Sequence, residues 1–220
     1  MKTERQTVIE TVEASKIVTI ARRIPEEKLL PAAEALVKGG IRLLEVTFDQ
    51  ASPNCLTETP SSIRRLRSTF GEDLCVGAGT VITLDQVRAA KDAGAQFIVS
   101  PNTNPAIISL AKELGMVTFP GALTPTEILT AYEAGADYVK IFPAETLGLA
   151  YIKSIMAPIS HVPLVAVGGV NEDNIANFLA LGLKGVGIGS NILKKSYIEE
   201  ENYAGLAELA HRYAAAAGVI

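Results

Sequence analysis

The sequence predicts a single (β/α)8 TIM barrel spanning residues 1–220. Three observations carry this expectation. Short apolar runs alternate with amphipathic stretches from end to end, with no low-complexity linker and no break in composition. The runs number eight in 220 residues. A glycine that closes a helical stretch recurs before every second run. A doubly wound open sheet is the alternative topology, and eight parallel strands without a longer insertion count against it.

The elements follow in order. Residues 1–14 are polar and read as an N-terminal extension or helix. The first strand is "KIVTIA" (16–21), followed by a helix from Glu26 to Lys38 and the second strand "RLLEVTF" (42–48). The third and fourth strands are "LCVGAG" (74–79) and "QFIVSP" (96–101), with a helix from Leu84 to Ala93 between them. A helix from Pro105 to Leu114 leads to the fifth strand, "MVTFPG" (116–121), and a helix from Pro125 to Ala134 to the sixth, "DYVKIFP" (137–143). "PLVAVGG" (163–169) and "KGVGIGS" (184–190) complete the set. Several helices open on Thr, Asn or Pro, and "TPTE" (124–127) has the form of a capping box with Pro125 at the first helical position. The first dozen residues and "LKKSYIEEEN" (193–202) read as a solvated terminus and a solvated loop.

The recurring glycines sharpen the register. They are Gly40, Gly94, Gly135 and Gly182, where a left-handed residue would end a helix. Counting five residues on from each gives Glu45, Val99, Lys140 and Gly187, on strands two, four, six and eight. Alternate strands of this barrel supply one interior layer. Glu45 and Lys140 should therefore face each other across the barrel, with Val99 and the missing side chain of Gly187 leaving room between them.

Lysine is almost never fully buried without a reason. One reading of Lys140 and Glu45 is a structural ion pair. Another is chemistry, because both lie in the C-terminal halves of their strands, the catalytic end of this fold. Desolvation favours the neutral amine that attacks a carbonyl, while a nearby carboxylate favours the ammonium. A lysine that alternates between amine and iminium beside a carboxylate acid/base has the parts for Schiff-base chemistry.

"VGGVNEDN" (167–174) and "GVGIGSNI" (185–192) follow strands seven and eight and should open helices. Backbone N–H groups at such positions bind phosphate, which points to Gly168, Gly169, Gly189 and Ser190. Neither loop has the order of a Walker or Rossmann motif. "VGAGT" (76–80) ends strand three. It is either a close-packed strand end with Thr80 as helix cap, or a place where glycines admit a substrate that the Thr80 hydroxyl orients. Pro101 stiffens or walls the rim. Arg22 and Arg23 follow strand one, and by alternation only one should point inward.

The formal net charge of −4 offers no global basic field for nucleic acid or a membrane surface. Met1 to Thr11 lacks the apolar stretch of a signal peptide, and two free cysteines, Cys55 and Cys75, suit a reducing cytoplasm. With two histidines and no His/Cys/carboxylate spacing, no metal or other cofactor is expected.

Together these segments resemble the class I 2-keto-3-deoxy-6-phosphogluconate (KDPG) / 4-hydroxy-2-oxoglutarate (KHG) aldolases. The resemblance runs from about Ser15 to Leu193 through "GGIRLLEVTF", "VGAGTV", "AGAQFIVSPN", "FPGALTPTE", "VKIFPAE", "VGGVNEDN" and "GIGS". It implies Lys140 as the Schiff-base lysine and Glu45 as a proton shuttle acting through water. Thr80, Pro101 and Phe142 would line the pyruvate part of the site. Gly168, Gly169 and Ser190 would hold the phosphate, and Arg22 the carboxylate. It also implies a cytoplasmic homotrimer, no metal, and cleavage of a phosphorylated keto acid to pyruvate and glyceraldehyde 3-phosphate.

Two positions depart from the family pattern. One branch has an arginine four residues after the glutamate, where this chain has Asp49. Val167 stands where a threonine is common, a pattern similar to the branch acting on the C4 epimer, 2-keto-3-deoxy-6-phosphogalactonate. The competing functions are a phosphosugar isomerase on the same barrel, which would not need Lys140, and a catalytically silent sensor of a phosphorylated ligand.

Overall fold

The structure is a computed structural model, and it describes residues 2–220. Helix α1 (Glu4–Ser15) precedes the barrel. Then come β1 (Ile17–Ala21), α2 (Glu26–Lys38), β2 (Leu43–Thr47), α3 (Cys55–Phe70), β3 (Cys75–Gly79), α4 (Leu84–Asp92), β4 (Phe97–Val99) and α5 (Pro105–Glu113). The second half holds β5 (Val117–Phe119), β6 (Gly121–Ala122), α6 (Pro125–Glu133), β7 (Val139–Ile141), α7 (Ala144–Met156) and β8 (Leu164–Val167). It ends with α8 (Ile175–Ala180), β9 (Gly185–Ile188), α9 (Lys195–Glu199) and α10 (Tyr203–Ala216).

All strand pairs are parallel, in the order β5-β4-β3-β2-β1-β9-β8-β7-β6. The ninth strand is half of the predicted fifth. Pro120 has no N–H to give to the ladder, so it divides that strand into β5, paired with β4, and β6, paired with β7. The Tyr138 N–H donates to the Thr118 carbonyl (3.1 Å) and the Lys140 N–H to the Pro120 carbonyl (2.8 Å). These bonds close the sheet, giving eight barrel positions ringed by helices, as expected.

Local signals explain the helix ends. Thr124 and Glu127 form the expected capping box with Pro125 in the first turn, and Thr83 with Gln86 forms another at α4. Gly40, Gly94, Gly135 and Gly182 have φ of 97°, 87°, 92° and 97°, the left-handed conformation that favours glycine. Each stops a helix and turns the chain into the next strand.

The core has two shells. Outward strand residues such as Leu44, Val76, Ile98 and Val186 pack beneath the helices. Inward residues fill the barrel: Val18, Leu43, Phe97, Phe119, Tyr138 and Val165 among them. Phe119 stacks on Tyr138 (centroids 5.0 Å) and meets Phe97 edge-on (5.7 Å).

Two segments that the sequence reads as solvated are structural. Helix α1 lies at the N-terminal end of the barrel, where Val8 and Val12 are buried in the interior cluster. Arg5 is ion-paired with Asp137, which also accepts from the Thr118 N–H (3.0 Å). The segment after β9 contains α9, with Ile198 buried. The two glycine loops lead into their helices differently. The loop after β8 passes through a turn at Asn171–Asn174 before α8. The loop after β9 makes one turn, with the Ile192 and Leu193 N–H groups donating to the Gly189 carbonyl, before α9 begins.

Candidate active site

Lys140 is the middle residue of β7 and Glu45 of β2, and both are buried (7% and 3% exposed). The register expected from the glycine spacing holds. Glu45, Val99, Lys140 and Gly187 all line one interior cavity of about 20 Å³. Toward the C-terminal ends of the strands the interior opens into a cavity of about 850 Å³, with Lys140 and Glu45 on its wall. The same cavity is lined by Arg22, Thr80, Pro101, Phe142, Val167, Gly168, Gly169, Gly189 and Ser190. Every candidate residue from the sequence therefore faces one space.

Glu45 fits because β3 yields to it. A Cβ at Gly79 would stand 2.5 Å from Glu45 Oε1 and 2.9 Å from Thr47 Cγ2. The glycine of "VGAGT" thus makes room for the carboxylate. Gly187 does the same for Val167, whose Cγ2 would lie 2.8 Å from an added Cβ. Gly77 leaves space for the Phe97 ring.

No direct ion pair joins the two side chains. Among the described residues, Lys140 makes no salt bridge and Glu45 Oε2 has no hydrogen-bond partner. The Lys140 ammonium lies 5.0 Å from the centroid of the Phe142 ring, within cation–π range. Burial pushes the lysine down to about 8, opposed by Glu45 and aided by Arg22. Burial pushes the Glu45 carboxyl up to about 7, opposed by Lys140 and Arg22. Burial thus favours the neutral form of each group.

The two arginines have different environments, although both reach the cavity. Arg23, at φ 53°, makes a bidentate pair with Asp49: Nε to Oδ2 at 3.0 Å and Nη2 to Oδ1 at 3.1 Å. That bond and the Ala51 N–H hold the Asp49 carboxyl below its usual range. Arg22 has no carboxylate partner among the described residues, so its guanidinium is available to an anion.

Thr80 adopts φ 56°, and its carbonyl accepts from the Gln50 amide (2.8 Å), which in turn accepts from Gln86. Thr83, rather than Thr80, caps α4. The Pro101 carbonyl packs where a Gly121 side chain would be. Gly168 and Gly169 take φ of 96° and 80°, and Glu145 fills the space beside Gly169. The Asn191 amide donates to the Val170 carbonyl (2.8 Å), tying the two glycine loops together.

One wall has no counterpart in the sequence reading. Leu193, Lys195, Ile198 and Glu199 come from α9 and its approach, and Lys28 from α2. The Lys28 ammonium donates to the Ile198 and Glu199 carbonyls (3.2 Å each), satisfying the C-terminal end of α9. Proximity to "GIGS" was the one available signal for this wall.

The family model described as "Aldolase: KDPG and KHG aldolase" matches residues 8–209. The chain belongs to this family. It is an aldolase, a carbon–carbon lyase. This aldolase is 34% identical over 199 residues to a 2-dehydro-3-deoxy-phosphogluconate aldolase from Haemophilus influenzae, covering 90% of this chain and 91% of that one. It is 35% identical over 179 residues to a 2-dehydro-3-deoxy-6-phosphogalactonate aldolase from Escherichia coli, covering 81% and 84%. Among solved structures it superimposes on a KDPG aldolase from Legionella pneumophila, described with pyruvate captured as a covalent carbinolamine. The TM-score is 0.82, with 29% identity and coverage of 96% and 97%.

Proposed function

We propose that this aldolase splits 2-keto-3-deoxy-6-phosphogluconate into pyruvate and glyceraldehyde 3-phosphate through an imine on Lys140. One observation carries the reading: a desolvated lysine without an ion-pair partner shares a cavity with a desolvated carboxylate, beneath a rim of arginine and glycine loops.

The Lys140 amine attacks the C2 ketone, and loss of water gives the protonated imine. Glu45, through a water molecule, takes the proton of the C4 hydroxyl. The C3–C4 bond breaks, its electron pair moves toward the iminium nitrogen, and the aldehyde leaves. The enamine is protonated at C3, and water hydrolyses the imine to release pyruvate and the amine. Arg22 binds the substrate carboxylate. Thr80, Pro101 and Phe142 wall the pyruvate portion. Gly168, Gly169, Gly189 and Ser190 hold the phosphate. The shorter 4-hydroxy-2-oxoglutarate would use the same lysine without the phosphate loops.

Val167 favours a second reading, the galactonate epimer. Its apolar side chain on the cavity wall offers no hydrogen bond to a C4 hydroxyl, and the Escherichia coli relative is named for that epimer. Comparing kcat/KM for the two epimers, in wild type and Val167→Thr, decides between them.

A homotrimer is the proposed assembly. Ile82, Leu84, Leu123 and Leu149 are exposed and available to a contact between copies, and a structure similar to this chain belongs to a cage built from symmetric oligomeric domains. A cytoplasmic setting suits the two free thiols.

Borohydride trapping with pyruvate, read by peptide mass, tests the central step. A single adduct on the Lys140 peptide is expected. A folded protein with no adduct, or with Lys140→Met turning over at the wild-type rate, would overturn it.

A further inference from the structure

Helix α1 contributes no side chain to the proposed bond-breaking steps, yet it is built into the barrel. Its Val8 and Val12 are 0% and 1% exposed. The helix is held from outside by the Arg5–Asp137 ion pair and by Glu4 on Arg67 (2.9 Å). Val12 and Lys16 line the interior cavity of about 20 Å³, and Glu45 and Lys140 line it too. Its lining is otherwise almost wholly apolar. A space of that size has room for about one water. Glu45, whose Oε2 is buried and without a partner, thus shares this small cavity with Val12 of α1.

We propose that α1 is a plug that keeps the barrel interior dry beneath Lys140 and Glu45, with Val12 as its positioning residue. The proposal rests on the reading of these two residues as the reacting pair. It gives the N-terminal helix a part in the chemistry, exerted from the end of the barrel opposite the substrate. A water column admitted through the floor would solvate both charged forms. Burial is the largest influence on each group, so wetting moves each toward its ordinary value: Lys140 up from about 8, Glu45 down from about 7. The other charged side chains around the pair are Lys16 on the small cavity and Arg22, Arg23, Lys28, Lys195 and Glu199 on the large one, and none of them is altered. Tyr138, inside the barrel below the lysine, is held up to about 12 and stays neutral.

The test is competitive acetylation of Lys140 with acetic anhydride from neutral to alkaline pH, without substrate, read on the Lys140 peptide by mass. The wild-type midpoint is expected near 8. Val12→Ser should raise it by about one unit or more, a fraction of the shifts that burial produces. Val12→Ala is the milder change and reads the same quantity should Val12→Ser unfold; its midpoint should also rise. A folded Val12→Ser or Val12→Ala protein with the wild-type midpoint would overturn the proposal and leave α1 a structural support only. The labelling needs no pyruvate. A wild-type chain that forms no pyruvate adduct would therefore sink the aldolase mechanism while leaving this measurement valid.

Discussion

Gly79 offers a sharp perturbation because its backbone is ordinary strand, a conformation that alanine shares. Gly79→Ala adds one methyl group, 2.5 Å from Glu45 Oε1, 2.7 Å from Cδ and 2.9 Å from the Thr47 methyl. Carbon contacts are comfortable from about 3.5 Å, so the carboxylate must retreat by about 1 Å. A displacement of that size in a reacting group can cost about 100-fold in rate. Overpacking costs about 1–3 kcal/mol, and the stiffer unfolded chain offsets about 0.4–1 kcal/mol of it. At about 2–4 °C per kcal/mol for a chain of this length, the melting temperature should fall by only a few degrees. The assay is pyruvate C3 proton exchange beside borohydride trapping. Exchange should drop by about 100-fold while the Lys140 adduct still forms, because the methyl displaces Glu45, the proposed acid/base, and leaves Lys140 in place. Exchange at the wild-type rate in a folded Gly79→Ala protein would refute the reasoning, since the carboxylate would then not depend on the space that this glycine leaves.

Glu45→Gln should slow the same exchange by about 10²–10⁴-fold, and an unchanged rate would move the acid/base elsewhere. Arg22→Gln should raise KM for the keto acid by about 10–100-fold, the worth of a charge-assisted hydrogen bond, with a smaller effect on kcat. Arg23→Gln should act mainly through Asp49, whose carboxyl would return toward its ordinary range; equal rises in KM in the two variants would refute the distinction between paired and available arginine. Imine formation at low pyruvate should rise with pH and level off above about 8, because the lowered lysine supplies amine from there upward. A rate still climbing toward the ordinary lysine value of about 10.4 would show that Lys140 is not desolvated in solution.

The layer that holds Glu45 and Lys140 was legible because its cause is local and repeated. A left-handed glycine ends a helix, a fixed number of residues follows, and the strand register places Glu45, Val99, Lys140 and Gly187 around one cavity. Helix α1 was not legible. Its two buried valines are embedded in polar residues, and what buries them is the open end of a barrel assembled from strands far along the chain. The role of Gly79 was only half visible. Its spacing marked a close approach, but the approaching group comes from β2 rather than from a ligand. The wall made by α9 and Lys28 joins segments about 170 residues apart, and a short polar helix carries no periodic signal strong enough to announce such a contact. Pro120 divided a strand whose apolar run reads as continuous, because the run reports burial while the proline acts on hydrogen bonding.

The Arg23–Asp49 pair has a consequence for descent. The resemblance places an arginine at position 49 in one branch of the family, and here the sign of that position is reversed. Asp49→Arg alone would set a third guanidinium against Arg22 and Arg23 at the cavity mouth. Removing Arg23 alone would leave a carboxylate facing the anion that the cavity is proposed to admit. Each single step passes through a mismatched charge, so positions 23 and 49 should vary together. A lineage exchanging one arrangement for the other would change both, and among related chains the identity of one should forecast the identity of the other.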